Sequence, residues 1–171
     1  LGIHAPGKKG VKNFLSAAHH AALCQAAGGM IAKQNVPDGQ IGTTFSCSYI
    51  EPASEKQRDV SAAKRMDAIL NRMFIEPALG MGYPVDAIEP LKKIYNYFQP
   101  GDEDRLTFDF DFIGLQNYTR EIVRFSMFRP FIRASLVKAG ERNVESTLMN
   151  WEVYPPCIYH ALKRLGSYPE I

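Results

Sequence analysis

An α/β fold is what this sequence predicts, on three observations. Residues 110–118, Phe110-Asp111-Phe112-Ile113-Gly114-Leu115-Gln116-Asn117-Tyr118, are rich in aromatic and branched side chains, with polar groups gathered at the end. A run apolar on both faces suits a parallel strand covered by helices, and its polar tail can open into a site. Residues 40–49 read as another strand, with Ile41, Thr43, Phe45 and Cys47 on one side and Gly42, Thr44 and Ser46 on the other. The order helix, strand, helix, helix, strand, long excursion, helix, incipient strand then matches alternating βαβ units.

Each element has its local reason. Residues 1–12 are loop-like, with Pro6, Gly7 and Gly10. Asn13 is placed to cap a helix whose apolar positions fall at Phe14, Ala17, Ala18, Ala21 and Ala22 and which carries on towards Met30. Its alanines allow a close neighbour, and Gly28-Gly29 is expected to weaken or bend it. Pro37-Asp38-Gly39 turns the chain into the first strand, and Ser54-Glu55-Lys56-Gln57 reads as a capping box. The helix it opens places Val60, Ala63, Asp67, Leu70 and Phe74 on successive turns, apolar at all but Asp67. Residues 86–98 are helical in two pieces, because Pro90 lacks the amide donor of an unbroken helix. Residues 120–146 mix strand and loop, and 154–165 form a final helix with Pro155 and Pro156 near its start and Gly166 closing it.

Bulk properties exclude several classes. With 171 residues and 46% apolar content the chain can bury a sizeable core, and a formal charge of +2 is too mild to argue for nucleic acid or an acidic membrane. Cys24, Cys47 and Cys157 show no CxxC spacing and read as buried free thiols. No apolar run reaches the ~20 residues of a membrane span. No cofactor and no metal site is expected. The chain opens on Leu1-Gly2-Ile3-His4 and stops on Tyr168-Pro169-Glu170-Ile171, so both ends are expected to be truncated. A cytoplasmic location is the expectation, since no leader is visible.

Polar constellations are weighed against bland alternatives. His19 and His20 are adjacent on a helix and point about 100° apart, which suits packing and capping better than one shared metal ion. His4 and His160 have no nucleophile beside them in sequence. Arg120, Arg124, Arg129 and Arg133 interleave with Phe125, Phe128 and Phe131, a pattern that single-stranded nucleic-acid binders use. Ile122, Val123, Met127 and Ile132 in the same stretch favour a partly buried loop instead. Asp109 and Asp111 lie at the N-terminal end of their strand, whereas α/β chemistry sits at the C-terminal end, where Gln116, Asn117 and Tyr118 stand. Trp151, the lone tryptophan, precedes the last helix on a loop; a tryptophan is usually buried in a core, but one on a loop can instead stack a sugar ring.

Four stretches in order resemble the family 1 glycoside hydrolases of β-glucosidase type. Gly2-Ile3-His4-Ala5-Pro6-Gly7 is similar to the loop after that family's Asn-Glu-Pro acid/base motif. Gly39-Gln40-Ile41-Gly42 and Tyr49-Ile50-Glu51-Pro52-Ala53-Ser54 resemble its fifth strand and the start of the next helix. Asp111-Phe112-Ile113-Gly114-Leu115-Gln116-Asn117-Tyr118 resembles strand six, and Trp151-Glu152-Val153-Tyr154-Pro155 the segment before helix six.

The resemblance implies a partial TIM (β/α)₈ barrel, from about helix 4 through the start of strand 7, that is not closed by itself, because such barrels take ~200–250 residues or more. Residues 1–171 would be a single segment of a catalytic barrel. The resemblance places neither catalytic glutamate within the chain: the acid/base would lie just before Leu1 and the nucleophile just after Ile171. Neither Glu170 nor Glu51 sits in the matching motif. Tyr118 matches the tyrosine that orients the nucleophile. Gln116 stands where the family mostly has Asn, and Trp151, Cys47 and Ser48 match the substrate-binding, leaving-group side. Asn117 replaces the first Tyr of the usual pair, and Gln25 a helix histidine. The implied function is part of a retaining β-glucosidase, inactive as an isolated segment and acting on β-glycosides or oligosaccharides when complete. The fragment is expected to self-associate through open strand edges. The alternative is a non-catalytic remnant that serves as a sugar- or protein-binding module.

Overall fold

The computed structural model describes residues 6–169 and residue 171. His4, the first residues of the Gly2–Gly7 motif and Glu170 lie outside the described residues. The helices are α1 (Val11–Asn35), α2 (Gln57–Asp67), α3 (Met73–Ala78), α4 (Asp102–Arg105) and α5 (Cys157–Leu165). The strands are β1 (Gly42–Ser46), β2 (Tyr49–Pro52), β3 (Phe112–Gln116), β4 (Arg120–Phe125) and β5 (Ala134–Val137). β1 and β3 pair as a two-stranded sheet, and the other three form a sheet ordered β2-β4-β5. This is a partial α/β arrangement, and among the described residues no barrel closes. No helix among them is long and apolar enough to cross a membrane.

The chain divides into two compact units, Leu1–Thr43 with Met73–Gly114 and Thr44–Arg72 with Leu115–Ile171. The first is mainly helical. Leu15, Ala18, Ala22 and Ala26 of α1 are buried at helical spacing, and α1 packs on α3, α4 and the 3-10 helix Glu89–Tyr97. Pro90 occupies the first turn of that 3-10 helix, where its missing N–H costs nothing. His19 is fully buried, stacked 4.2 Å from Phe98, with Nε2 3.0 Å from Asp102 Oδ2 and Nδ1 3.2 Å from the Tyr83 hydroxyl. If Nε2–H donates to Asp102, Nδ1 is free to accept from Tyr83, so one tautomer satisfies the ring. Asp102 also accepts the Gln99 N–H at 2.8 Å, which together with His19 holds its carboxyl below the usual range. Asp111 accepts the Ile41 N–H at 2.7 Å and faces Lys33, a structural role, while Asp109 is exposed.

In the second unit β2 runs parallel to β4, with Tyr49 opposite Arg120 and Pro52 opposite Val123, and β5 runs antiparallel to β4. The helix α2 covers all three strands. Their shared core is Ala62, Ala63 and Met66 from the helix with Val123 and Ala134 from the sheet, joined by Ile50, Leu70, Phe125 and Ile132. Small residues on α2 let it lie close to the β-branched sheet face. Burying a side chain such as Val123 completely is worth ~1.5–3 kcal/mol.

Local expectations are corrected in four places. The helix α1 begins at Val11 behind Gly10, so Asn13 does not cap it and instead donates to Lys9 O at 2.7 Å. Cys24 on the same helix is exposed, not buried as expected, and α1 runs unbroken through Gly28-Gly29. A Cβ on Gly29 would lie 2.6 Å from Phe108 Cδ1, so the glycine is there to admit a ring. Ser54 does not form the capping box: α2 starts at Gln57, and the Ser54 hydroxyl donates to Asp59 Oδ2 at 2.5 Å. Asp59 Oδ1 accepts the Phe125 N–H at 2.8 Å, which ties the first turn of α2 to β4 and lowers the carboxyl's pKa. Finally, the strand expected over 40–49 stops at Ser46 and restarts at Tyr49.

Candidate functional site

The break at Cys47-Ser48 has a cause. After α2 the helix widens into a π turn, Ala68–Arg72, which aims the buried Asn71 at the broken strand. Asn71 Oδ1 accepts the Ser48 N–H at 2.9 Å and Asn71 Nδ2 donates to Ser48 O at 2.9 Å, so one amide replaces the strand partner that Ser48 lacks. Asp67 Oδ1 accepts from the same Nδ2 at 2.7 Å, and Asp67 Oδ2 accepts from Arg164 Nη2 at 2.9 Å. Cys47 is buried, its N–H donates to Gln116 O at 2.8 Å, and burial pushes its thiol up to about 11. Asn117 fastens the same corner, donating from Nδ2 to Cys47 O at 2.8 Å and accepting the Cys157 S–H at 2.7 Å.

Beyond β3 the side chains turn outward. Gln116 is exposed, and its Oε1 accepts the Tyr118 hydroxyl at 3.2 Å. Tyr118 is 55% exposed, and its ring centroid lies 5.1 Å from that of Trp151, tilted by 39°. Trp151 closes a tight turn: Thr147 N–H donates to Trp151 O at 2.8 Å, and Asn150 takes a positive φ of 60° within it. Ser146 pairs with Glu152 across the base. Tyr118, Trp151 and Gln116 are therefore brought together, with Cys47 tied to Gln116 through the backbone. Ser48 is half-buried and held by Asn71.

Behind this pair lies a cluster of charges. Arg120 grips Glu152 with two donors, Nε at 3.0 Å and Nη2, and reaches Glu51 Oε2 with Nη1 at 2.8 Å. Arg142 Nη2 donates to Glu152 Oε2 at 2.8 Å, and the Arg120 guanidinium lies 3.8 Å from the Tyr154 ring centre. Glu152 is buried, and hydrogen bonds from Arg120 first and then Arg142 hold its carboxyl at about 2. The Tyr49 hydroxyl donates to Glu51 at 2.9 Å, and the Tyr49 ring stacks on His160 at 4.1 Å. Burial, with the hydrogen bond to Glu51, pushes the Tyr49 phenol up to about 12. Arg124 pairs with Glu141 at 3.3 Å, and Arg133 lies 5.7 Å from the Phe125 ring. The interleaved arginines are thus largely engaged with acids and rings of the fold.

Comparison with known proteins decides what this arrangement belongs to. The model for Glycosyl hydrolase family 1 matches residues 1–170. The chain belongs to glycosyl hydrolase family 1. It is similar to a 1,4-beta-D-glucan glucohydrolase of Thermotoga neapolitana, 32% identical over 163 residues, which are 95% of this chain and 37% of that protein. Among solved structures it resembles the family 1 β-glucosidase of Thermotoga maritima, with a TM-score of 0.83 and 30% identity over 99% of this chain and 37% of that one. It also resembles the virulence factor SghA of Agrobacterium tumefaciens, solved with the substrate analogue salicin, with a TM-score of 0.87 and 26% identity over 98% of this chain and 37% of that one. This family 1 chain spans little more than a third of the length of the curated relatives it matches.

Two parts of the site escape a reading of the sequence. Asn71 acts through a π turn that no local residue pattern announces. Arg120 and Glu152 lie 32 positions apart, and the arginine reads in sequence as one of an aromatic-basic series. The available signal was a carboxylate set between Trp151 and Val153, because an acid among apolar neighbours demands a partner.

Proposed function

We propose that this chain is one segment of a retaining β-glucosidase barrel, running from about helix four to the start of strand seven, and that it contributes substrate-facing groups but neither catalytic glutamate. The single observation that supports this reading best is the ring pair of exposed Tyr118 and half-buried Trp151, centroids 5.1 Å apart, beyond the end of β3 with Gln116 on the Tyr118 hydroxyl. In a retaining glycosidase two carboxyl groups stand about 5–5.5 Å apart, one attacking the anomeric carbon and the other protonating the leaving oxygen. In the completed barrel the Tyr118 O–H exchanges Gln116 for the nucleophile, and a hydrogen bond to a carboxylate favours its charged, attacking form. Trp151 offers an apolar face to the leaving group, and Gln116 and the half-buried Ser48 line the approach, while Cys47 is buried and lends only its backbone to the corner. No cofactor enters this chemistry. The location is proposed as cytoplasmic.

The purified 171-residue chain should not turn over an aryl β-glucoside, and turnover above background would overturn the reading. Joined to flanking segments that carry both glutamates, it should become active. There Tyr118→Phe should lower kcat on the order of 10²-fold, the usual cost of one donor aimed at reacting charge. An active joined barrel indifferent to Tyr118→Phe would remove the role given to that hydroxyl. β2 and β5 are sheet edges, and Phe112 and Leu136 are exposed on strands, so the isolated chain should self-associate. A strictly monomeric profile by light scattering would contradict that part.

A further inference from the structure

We propose that Arg120 and Glu152 are positioning residues whose two-point contact sets Tyr118 and Trp151 at the spacing of a ring clamp. Tyr118-Thr119-Arg120 and Trp151-Glu152 lie side by side, with a contact from each residue of the first segment to the second. The rings of Tyr118 and Trp151 meet at 5.1 Å, the Thr119 hydroxyl donates to Glu152 O at 3.2 Å, and the Arg120 fork grips the Glu152 carboxylate. Thr119 and Glu152 are buried while Tyr118 is exposed, so the buried contacts are rigid and the functional ring projects from them.

The planar guanidinium matters because it fixes direction as well as distance. A bidentate arginine–carboxylate contact restricts rotation in a way that a point charge does not. The third donor of Arg120 reaches Glu51 on β2, so the clamp takes its bearing from the parallel β2–β4 pair. Arg142 donates to Glu152 Oε2 as well, so the carboxylate adds side-chain anchors to the backbone contacts of the turn that carries Trp151. The exposed Arg164–Asp67 pair, in contrast, touches neither ring.

This inference rests on the reading of Tyr118 and Trp151 as the sugar-facing pair, but its test needs no sugar. Trp151 is the only tryptophan of the chain, so tryptophan emission and the tryptophan part of the near-ultraviolet circular dichroism report on it alone. The Tyr118→Ala variant gives the spectrum of an unpaired Trp151. Glu152→Gln, which removes the charge and half of the fork, should lose the Tyr118-dependent band and take on that spectrum. Arg120→Lys, which keeps the charge and removes the fork, should lose part of it. Arg164→Ala should leave the band unchanged. An unchanged band in a folded Glu152→Gln or Arg120→Lys chain would overturn the proposal. If far-ultraviolet dichroism shows Glu152→Gln unfolded, Arg120→Lys decides; if both unfold, the pair is a determinant of the fold and the positioning role is overturned. Loss of the band in a joined barrel that hydrolyses no glucoside would leave the positioning intact and remove only the sugar reading.

Discussion

The two units each bury a carboxylate against a nitrogen base, Asp102 against His19 in one and Glu152 against Arg120 in the other, and the surroundings make them different devices. His19 is boxed by Phe98 and Tyr83, and Asp102 spends its second function on the Gln99 N–H at a turn. The exposed side chains that touch it, His20 on the His19 ring and Arg105 at 3.4 Å from Asp102 Oδ1, sit on the same helices, so its work is to hold α1 to the loop around α4. Glu152 takes donors from two arginines and stands in sequence directly behind Trp151, whose partner Tyr118 is exposed. A buried charge alone therefore does not mark a site. What sets Glu152 apart is that its sequence neighbour, the half-buried Trp151, packs on the exposed ring of Tyr118.

The sharpest way to break this comparison is to remove each acid or base in turn. Glu152→Ala would leave Arg120 with Glu51 alone and Arg142 without its ion-pair partner, with only the Glu121 charge nearby. It should cost ~3–5 kcal/mol in a denaturant titration, the usual result of breaking a buried pair. A loss below that of the His19 variant would invert the ranking of the two devices. Acid should act in the same sense. Because the Glu152 carboxyl is depressed to about 2 in the fold, its stabilisation is complete above the ordinary carboxylate range and fades as pH falls through that range towards 2. Asp102 and Asp59 are also lowered and add to the same acid limb. A melting temperature flat from pH 5 to pH 2 would show that these contacts contribute nothing net.

His19→Leu comes next, since it deprives both Tyr83 and Asp102 of a partner while keeping the volume apolar. Asp102 retains the Gln99 N–H, so the expected loss is ~1–3 kcal/mol by thermal melting, without change in Trp151 emission. An emission change would mean that the first unit's pair also bears on the site. Arg164→Ala should be the mildest, under ~1 kcal/mol, because its pair with Asp67 is half open to solvent and screened.

How much of this could be read from the sequence depended on whether the cause was local. The strand at 110–118 and the close of α5 at Gly166 rest on pattern and turn chemistry, and both elements are found, at Phe112–Gln116 and Cys157–Leu165. The family motifs put forward Gln116, Tyr118, Trp151, Cys47 and Ser48; the first three lie in contact through Tyr118, while Cys47 is buried and Ser48 is tied to Asn71. The misreadings arose where a distant residue overrides a local rule. Ser54 has the spacing of a capping box but prefers Asp59, because Asp59 must also reach Phe125. The ring of Phe108 that Gly29 admits comes from far along the chain and has no local signal. The gap at Cys47-Ser48 could not be foreseen, since it is made by Asn71, 23 residues later. The Arg120–Glu152 contact is of the same kind.

The wide winding at Ala68–Arg72 carries a consequence for how this region tolerates change in length. It is one residue longer per turn than its neighbours, and that surplus is what lets the Asn71 amide serve a foreign peptide unit. A shortened variant lacking one position there would wind more regularly and gain helical hydrogen bonds, yet it would strand both polar groups of Ser48. Trimming, ordinarily harmless on a helix flank, would here unfasten the corner on which Cys47 and Gln116 meet.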